Sequence, residues 1–224
     1  MASTTLAVVI NGDAYIKYAE ELFETAKFFF HPTEKINLLM LEGHEGWPAA
    51  TMYRWHHLLD HFPKTDYVFL SDADMRFESS VQQEILPQDH LDGITAVQHP
   101  GYVSTIRQEL PYEDRERSAC YISPDEGYRY YCGGFVGGSR RAVYNLASQI
   151  TICIDMDEKQ GIIPRWHDES ALNRALASYP PDIILSPSYC YPDNDWWYQT
   201  IWMEQYERKL VAIDKTEAER GERD

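Results

Sequence analysis

Two aspartates at the end of an apolar run are the first residues in this chain that could do chemistry. The stretch DYVFLSDADMRF (Asp66 to Phe77) closes a short hydrophobic run on Asp72 and Asp74, with one alanine between them. At a strand end, one carboxylate can grip a divalent cation while the other grips the same ion or a ligand hydroxyl. The ion then neutralises a diphosphate leaving group. Oxygen donors of this kind favour magnesium or manganese over zinc. Spacing alone says little. Among 36 acids in 224 residues there are six acid-x-acid triplets, three of them Asp-x-Asp, and about six are expected by chance from such a composition. Context separates them. Asp155/Asp157 falls in a helical pattern, where residues two apart do not share a face. Asp193/Asp195 lies in an aromatic loop. Only Asp72/Asp74 follows an apolar strand directly. From context, a metal clamp and a solvated acidic turn both stand.

A second group is PRWHDESALN (Pro164 to Asn173), which sets Trp166, His167, Asp168 and Glu169 side by side at a helix start. Acids in a first helical turn commonly serve the helix dipole. The functional alternative is a carboxylate facing positive charge that develops on a sugar carbon, with Trp166 and His167 supplying an apolar wall and hydrogen bonds. A third is YYCGGFVGGS, whose two glycine pairs interrupt a strand-like run. Glycine weakens strands, so each pair marks a bulge or a close approach by a ligand or a neighbouring backbone. No G-x-G-x-x-G is present, which leaves a dinucleotide fold unsupported, and no G-x-S-x-G supports a serine hydrolase. Arg54 reads by pattern as a surface charge on a helix. His56, His57 and His61 read as surface or core-edge residues.

These residues need elements to position them. LAVVI (Leu6 to Ile10) is a buried strand closed by Asn11-Gly12-Asp13. Tyr15, Tyr18, Ala19, Leu22, Phe23, Ala26 and Phe30 recur at helical spacing, with Asp13 as the expected N-cap. Lys35 to Leu41 is a strand, a single helix is expected from about Ala49 to Phe62, and DYVFL is the third strand. Strand and helix alternating at short spacing gives an α/β domain with a mostly parallel sheet, and such sheets bind ligands beyond the carboxyl ends of their strands. GITAVQHP is a further strand. A long irregular segment from about Gly101 to Arg129 follows, of a length usual for binding loops. Helices are expected from about Arg140 to Asp157 and Asp168 to Tyr179, and DIILS is expected as the last strand. The chain shows no internal repeat.

Composition narrows the functional classes. The net charge of -16 and the lack of a Lys/Arg cluster argue against nucleic-acid binding. The four cysteines contain no CxxC pair, against zinc and against a disulfide frame, so reduced thiols are expected. The N-terminus lacks a basic region, and no stretch is long and apolar enough to span a bilayer. A soluble, cytoplasmic protein is expected. The C-terminal DKTEAERGERD mixes signs with little apolar content, so residues from about 210 to 224 are expected to fray or to order on ligand binding.

Taken in order, LFETAKFFF, LSDADMRF, QEIL, QHPGY, PYEDR, YISPDEG, YYCGGFVGGS, WHDESALN and ILSP make the chain resemble glycosyltransferase family 6 from about Tyr15 to Pro187. The resemblance implies a GT-A fold in a single compact catalytic domain over residues 1–209. A nucleotide-sugar half would span about 1–98 and an acceptor half about 99–209. It implies transfer of GalNAc or galactose from the UDP-sugar to a galactoside or fucosylated galactoside, retaining the configuration and forming an α-1,3 link. Asp72 and Asp74 match the family's metal-binding pair, which implies Mn2+, with Mg2+ as the alternative. Tyr15 matches an aromatic near uracil, and Arg54 an arginine near the donor sugar. Glu169 matches the catalytic glutamate and Asp168 its donor-holding neighbour. His99 and Trp166 match acceptor contacts, with His167 beside them. Cys132, Gly133 and Gly134 fall where the family sets donor choice. Gly134 leaves room for an acetamido group, which favours GalNAc, while Cys132 replaces a usually larger apolar residue. Lys215 and Arg220 are the basic residues available to close over the diphosphate. Absence of the vertebrate anchor and stem makes the chain similar to bacterial or viral members.

Two competing readings remain at this level. An aspartyl-phosphate phosphatase would use Asp72 as nucleophile and need a later lysine and acidic pair that the sequence does not supply. A sugar-binding module without catalysis would keep the carboxylates for binding alone.

Overall fold

The computed structural model describes residues 1–44, 46–88, 92–193 and 203–215. Its centre is a six-stranded sheet in the order β2-β1-β3-β6-β5-β7. The strands are β1 (Ser3–Ile10), β2 (Lys35–Glu42), β3 (Tyr67–Ser71), β5 (Ile94–Gln98), β6 (Tyr131–Ser139) and β7 (Ile183–Leu185). β1 runs parallel to β2 and β3, and β5 parallel to β7. β6 alone is antiparallel to both of its neighbours. The expected α/β class with a mostly parallel sheet is what the chain adopts.

The sheet is buried on both faces, as its unbroken apolar strands require. Along β1, Leu6, Val8 and Ile10 join one core while Ala7 and Val9 join the other. The first core packs under α1 (Ile16–Phe29) through Leu22, Ala26 and the following Phe30. The second packs under α3 (Arg54–Asp60), α4 (Arg140–Lys159) and α5 (His167–Ser178), through Trp55, Leu58, Ile150 and Leu172.

Three local expectations need correction. Asp13 does not cap α1: it lies in a 3-10 turn, Asp13–Tyr15, and α1 begins at Ile16 without a side-chain cap. The single helix expected over Ala49–Phe62 is two, α2 (Ala49–Met52) and α3, broken at Tyr53. Tyr53 leaves helical geometry, and its hydroxyl donates to Glu158 at 2.5 Å, so the break turns Arg54 inward. β7 is not the last strand. A second, three-stranded sheet forms from β4 (Met75–Phe77), β9 (Leu210–Ala212) and β8 (Tyr191–Pro192).

That sheet also moves the expected start of the tail. Leu210 and Val211 are fully buried, and β9 pairs antiparallel with β4. Arg208 fixes the approach, donating to Glu78 at 2.8 Å and Asp193 at 2.6 Å. The two cations Arg208 and Arg76 hold the Glu78 carboxyl down at about 2. Asp195 and Arg220 lie outside the described residues.

The glycine pairs of β6 do different work. Gly137 faces Phe69 across the β3–β6 pairing, and a side chain there would overlap the Phe69 ring, which stacks on Phe135 at 5.2 Å. Gly133 and Gly134 fall at a bulge, where Val97 pairs with Cys132 but Ala96 with Val136. The long segment 101–129 holds only short 3-10 turns. Buried Glu113 anchors it, accepting from the N–H groups of Arg115 and Arg165. So does Asp157 on α4, which accepts from Ser118 Oγ and Ala119 N–H.

Asn173 locks α5 to β6. Its amide accepts from Tyr131 N–H at 2.9 Å and donates to Tyr131 O at 2.8 Å, as a strand neighbour would. Asn173→Ala leaves two buried main-chain groups unpaired. The expected loss is about 2–4 kcal/mol of unfolding free energy, read from urea melts. A loss below about 0.5 kcal/mol, the usual surface value, would show that the pairing does not hold the helix.

Candidate active site

The paired aspartates lie where β3 ends and the chain turns into β4. Asp72 N–H donates to Gly134 O at 3.0 Å, which fixes the turn to the bulge of β6. On the far side of the turn, Ile213 N–H donates to Asp74 O at 2.8 Å, so the segment after β9 closes against it.

Arg54 joins this turn to the helix start that carries the other acids. Pattern alone reads it as a surface charge, yet it is 9% exposed. Its Nε donates to Asp168 Oδ2 at 2.5 Å and its Nη2 to Gly133 O at 2.9 Å. Its Nη1 donates to Asp72. Trp55 Nε1 donates to the same Asp168 oxygen at 3.2 Å. Burial opposes the charge on Arg54, but Asp168 and Asp72 outweigh it and hold its pKa above the ordinary value. One planar fork thus reaches three elements, a geometry lysine cannot supply.

Asp74 has its own cation. Lys215 Nζ lies 2.8 Å from Asp74 Oδ2 and 5.0 Å from the centre of the Tyr15 ring. Burial and the neighbouring Asp72 charge push the Asp74 carboxyl up, and Lys215 works against that. Tyr15, Arg54, Asp72, Asp74 and Lys215 line one cavity of about 210 Å³, together with Asn11 and Trp47. The placement brings five of the expected donor-side residues into one space.

The two acids of α5 sit behind Arg54. Glu169 Oε2 accepts from Gly133 N–H at 2.7 Å. Burial raises the Glu169 carboxyl to about 7, against the pull of Gly133 N–H, the Tyr130 phenol and Arg54. Burial likewise raises Asp168 to about 6 despite its contact with Arg54. Two carboxyls tuned above their usual range beside a cleft are a common mark of catalytic chemistry.

The expected acceptor residues are more dispersed. His99 nests against the rings of Tyr102 and Tyr130 at 4.8 and 5.7 Å. Its Nδ1 accepts from Gly101 N–H at 3.0 Å, and burial lowers its pKa to about 4, so it is a neutral imidazole. Trp166 stands half exposed at the mouth of the helix. His167 takes a positive φ of 51°, rare for a residue with a side chain. Its ring meets Trp47 edge-on, with centroids 4.1 Å apart. A second cavity, of about 650 Å³, opens between Tyr102, Tyr112, Tyr121 and Arg165. Cys132 is buried on the opposite face of β6 from Gly133. All four cysteines are free thiols.

The donor set suits a hard divalent ion that keeps other ligands. Asp72 and Asp74 offer carboxylate oxygens from one turn. Among the described residues, no group of three or more His, Cys, Asp or Glu side chains is arranged to hold a metal. Magnesium-like ions commonly take one or two carboxylates and fill the rest with water and phosphate oxygens. The pair fits that role and does not fit an all-protein cage.

Comparison with known proteins places the chain in a family. A sequence profile described as Glycosyltransferase family 6 matches residues 24–215. The chain is 34% identical over 163 residues to the histo-blood group ABO system transferase 1 of Rattus norvegicus, covering 70% of this chain and 45% of that protein. It is 32% identical over 168 residues to the globoside alpha-1,3-N-acetylgalactosaminyltransferase 1 of Homo sapiens, covering 73% of this chain and 47% of that one. Against the O-antigen biosynthesis glycosyltransferase WbnI of Escherichia coli it is 27% identical over 172 residues, covering 75% of this chain and 69% of that one. The chain spans about half the length of the animal relatives it matches. An α/β sheet with helices on both faces and paired acids beyond a parallel strand is a fold of the GT-A type. The chain belongs to glycosyltransferase family 6. No helix among the described residues is long and apolar enough to cross a membrane.

Residue-by-residue reading passed over several neighbours of the site. Trp47, Trp55, Tyr130 and Asn173 each touch a residue of the expected set. Asn173 stood within WHDESALN, one turn beyond Glu169, and its spacing is a usable signal. Trp47 and Tyr130 carry none beyond being aromatic.

The raised Glu169 carboxyl has a testable cost. Its folded pKa, about 7, exceeds the ordinary 4.5. The folded state therefore binds more protons, and stability falls as pH rises between those values. Glu169→Gln removes the buried charge. It is expected to raise the melting temperature by a few degrees at pH 8 and much less at pH 5, read by calorimetry. An equal gain at both would show that burial does not shift this group.

Proposed function

We propose that this chain is a metal-dependent, retaining glycosyltransferase that moves GalNAc or galactose from a UDP-sugar to a galactoside in α-1,3 linkage. Family membership supports transfer of a sugar, and the α-1,3 activities that the relatives are named for support the linkage. The observation that carries the reading is the Arg54 bridge. It ties the Asp72 end of the cavity to the Asp168–Glu169 pair, so a diphosphate and a sugar carbon can be served by one connected site.

In this reading Asp72 and Asp74 would hold Mn2+, or Mg2+ in its place. A bound divalent ion supplies charge neutralisation for the departing diphosphate. Tyr15 packs against the base, and Lys215 shifts from Asp74 towards phosphate charge. Arg54 and Asp168 orient the donor sugar against the main chain of Gly133 and Gly134. Glu169, as a carboxylate, faces the positive charge that develops on the anomeric carbon. His99, Trp166 and His167 form the acceptor side. His99, neutral and held by Gly101 N–H on Nδ1, presents Nε2–H as a donor. Donor contacts thus come from both parts of the chain, Tyr15, Arg54, Asp72 and Asp74 from residues 1–98 and Gly133, Gly134, Asp168 and Lys215 from beyond them, while the acceptor side comes from residues after 98.

UDP release tests the reading. With Mn2+, the protein is expected to release UDP from UDP-GalNAc or UDP-galactose when a fucosylated galactoside is added. EDTA should abolish it. Equal turnover in EDTA removes the metal from the mechanism, and no release from either donor overturns the transferase itself. Glu169→Gln is expected to cut kcat by about 10²–10³-fold, the usual scale for losing one charge-stabilising group, while UDP affinity holds. For the wild type, kcat/KM is expected to rise as pH passes through about 7, where Glu169 ionises.

A further inference from the structure

The space left by Gly134 is bounded by a residue that no motif marks. A side chain placed on Gly134 would meet Cys190 Sγ at 3.0 Å, Asp72 Oδ2 at 3.5 Å and Met75 Cε at 3.8 Å. Cys190 comes from a distant part of the chain, the 3-10 turn Pro187–Tyr189 that leads into β8. Its position is set from both sides. Cys190 N–H donates to Pro187 O at 3.0 Å, and two residues earlier Ser188 O accepts from Lys209 N–H at 3.1 Å. Cys190 packs against the core that contains Cys132. Cys190 Sγ and Asp72 Oδ2 border the same space above Gly134, which sets the thiol beside the paired-aspartate end of the site. The nearby Cys132 thiol and burial hold its pKa well above the ordinary range, so it is a neutral thiol. It is partly exposed, whereas Cys132 is only 3% exposed.

The room that a glycine at 134 offers is therefore not open space. It is a tight slot, in which a single added carbon would already press on the thiol and touch the carboxylate and the methionine methyl. GalNAc and galactose differ only at carbon 2, by an acetamido group against a hydroxyl. A slot of this kind accepts or refuses the larger group according to its far wall.

We propose that Cys190 is a specificity-determining residue for the donor sugar, setting the room left by Gly134 for the substituent on carbon 2. The proposal rests on the donor-site reading above. It assigns the choice between donors to a pair of residues from different parts of the chain, Gly134 and Cys190, where the glycine alone would not decide it.

The test compares kcat/KM for UDP-GalNAc and UDP-galactose, with Mn2+ and one fucosylated galactoside, in wild type, Cys190→Ala, Cys190→Leu, Gly134→Ala and the Gly134→Ala/Cys190→Ala double variant. Dissociation constants for both donors are measured by calorimetry on the same proteins, with melting temperatures as a fold control. Cys190→Ala is expected to move the UDP-GalNAc/UDP-galactose ratio upward by roughly tenfold, and Cys190→Leu to move it down by a similar factor, the scale of a methylene or two in a pocket. Gly134→Ala is expected to weaken both donors. Cys190→Ala added to it should restore at least part of the loss, giving a non-additive cycle. A merely structural role would lower both donors together and leave the ratio unchanged. Turnover in wild type with a ratio unmoved by either Cys190 substitution overturns the inference and leaves the transferase reading standing. Failure of wild type to turn over or bind either donor overturns both.

Discussion

The site depends on one buried guanidinium. Arg54 stands between Asp72 and Asp168 and also holds Gly133 O, with 9% of its surface exposed. Taking a charge out of water is unfavourable unless its partners are close and well aligned. Here the geometry meets that condition, and the alignment constrains four elements at once. The helical run must break at Tyr53, between α2 and α3, to aim the side chain inward. β3 must end where its aspartate meets the fork. β6 must bulge to present a carbonyl, and α5 must begin with its acids pointing back. Without the cation, a buried carboxylate and a more exposed one would stand close together with nothing between them. Their mutual repulsion explains why the acids cannot be read as independent features.

Around that fork, the wider packing supplies rigidity. Asn173 pairs with the main chain of Tyr131 as a neighbouring strand would, so α5 is bonded to the start of β6 as well as packed on the sheet. The Asn173 amide also donates to Glu169 O at 2.9 Å, which couples the pairing to the helix turn that carries the raised carboxyl. Glu113 reaches the other side of that helix start through Arg165 N–H at 2.8 Å. The irregular segment is thereby part of the scaffold, and the acids of α5 are clamped from two directions.

Much of this was legible in the sequence because it is local. The apolar runs of β1 and β3 show their strands, and the three- and four-residue spacing from Tyr15 to Phe30 shows α1. Asp72 and Asp74 stand out by following a strand, and the glycine pairs of β6 by interrupting one. What was not legible depends on partners far along the chain. Arg54 and Asp168 are 114 positions apart, and nothing near Arg54 separates a buried cation from a surface one. Asp13 had the composition of a cap, but a 3-10 turn took its place. The apolar triplet at Leu210–Ala212 was hidden by the mixed charges beyond it. Its burial comes from β4 and β8, which local pattern cannot see. The family resemblance reached Arg54 and Lys215 where periodicity did not. It could not reach Cys190, whose contact with Gly134 exists only once the chain is folded.

The small sheet β4-β9-β8 has a consequence for how the protein is made. β4 follows the aspartate turn directly, yet its partner β9 and the lysine that neutralises Asp74 are encoded well over a hundred residues later. A chain emerging from the ribosome can form the β1–β3 core and its helix early, as domains do when they fold from the N-terminus. The cavity beside the aspartate turn still lacks a wall and a counterion until the segment through Lys215 has been synthesised. The growing polypeptide thus carries an unfinished, acid-lined notch until the stretch through Lys215 completes it.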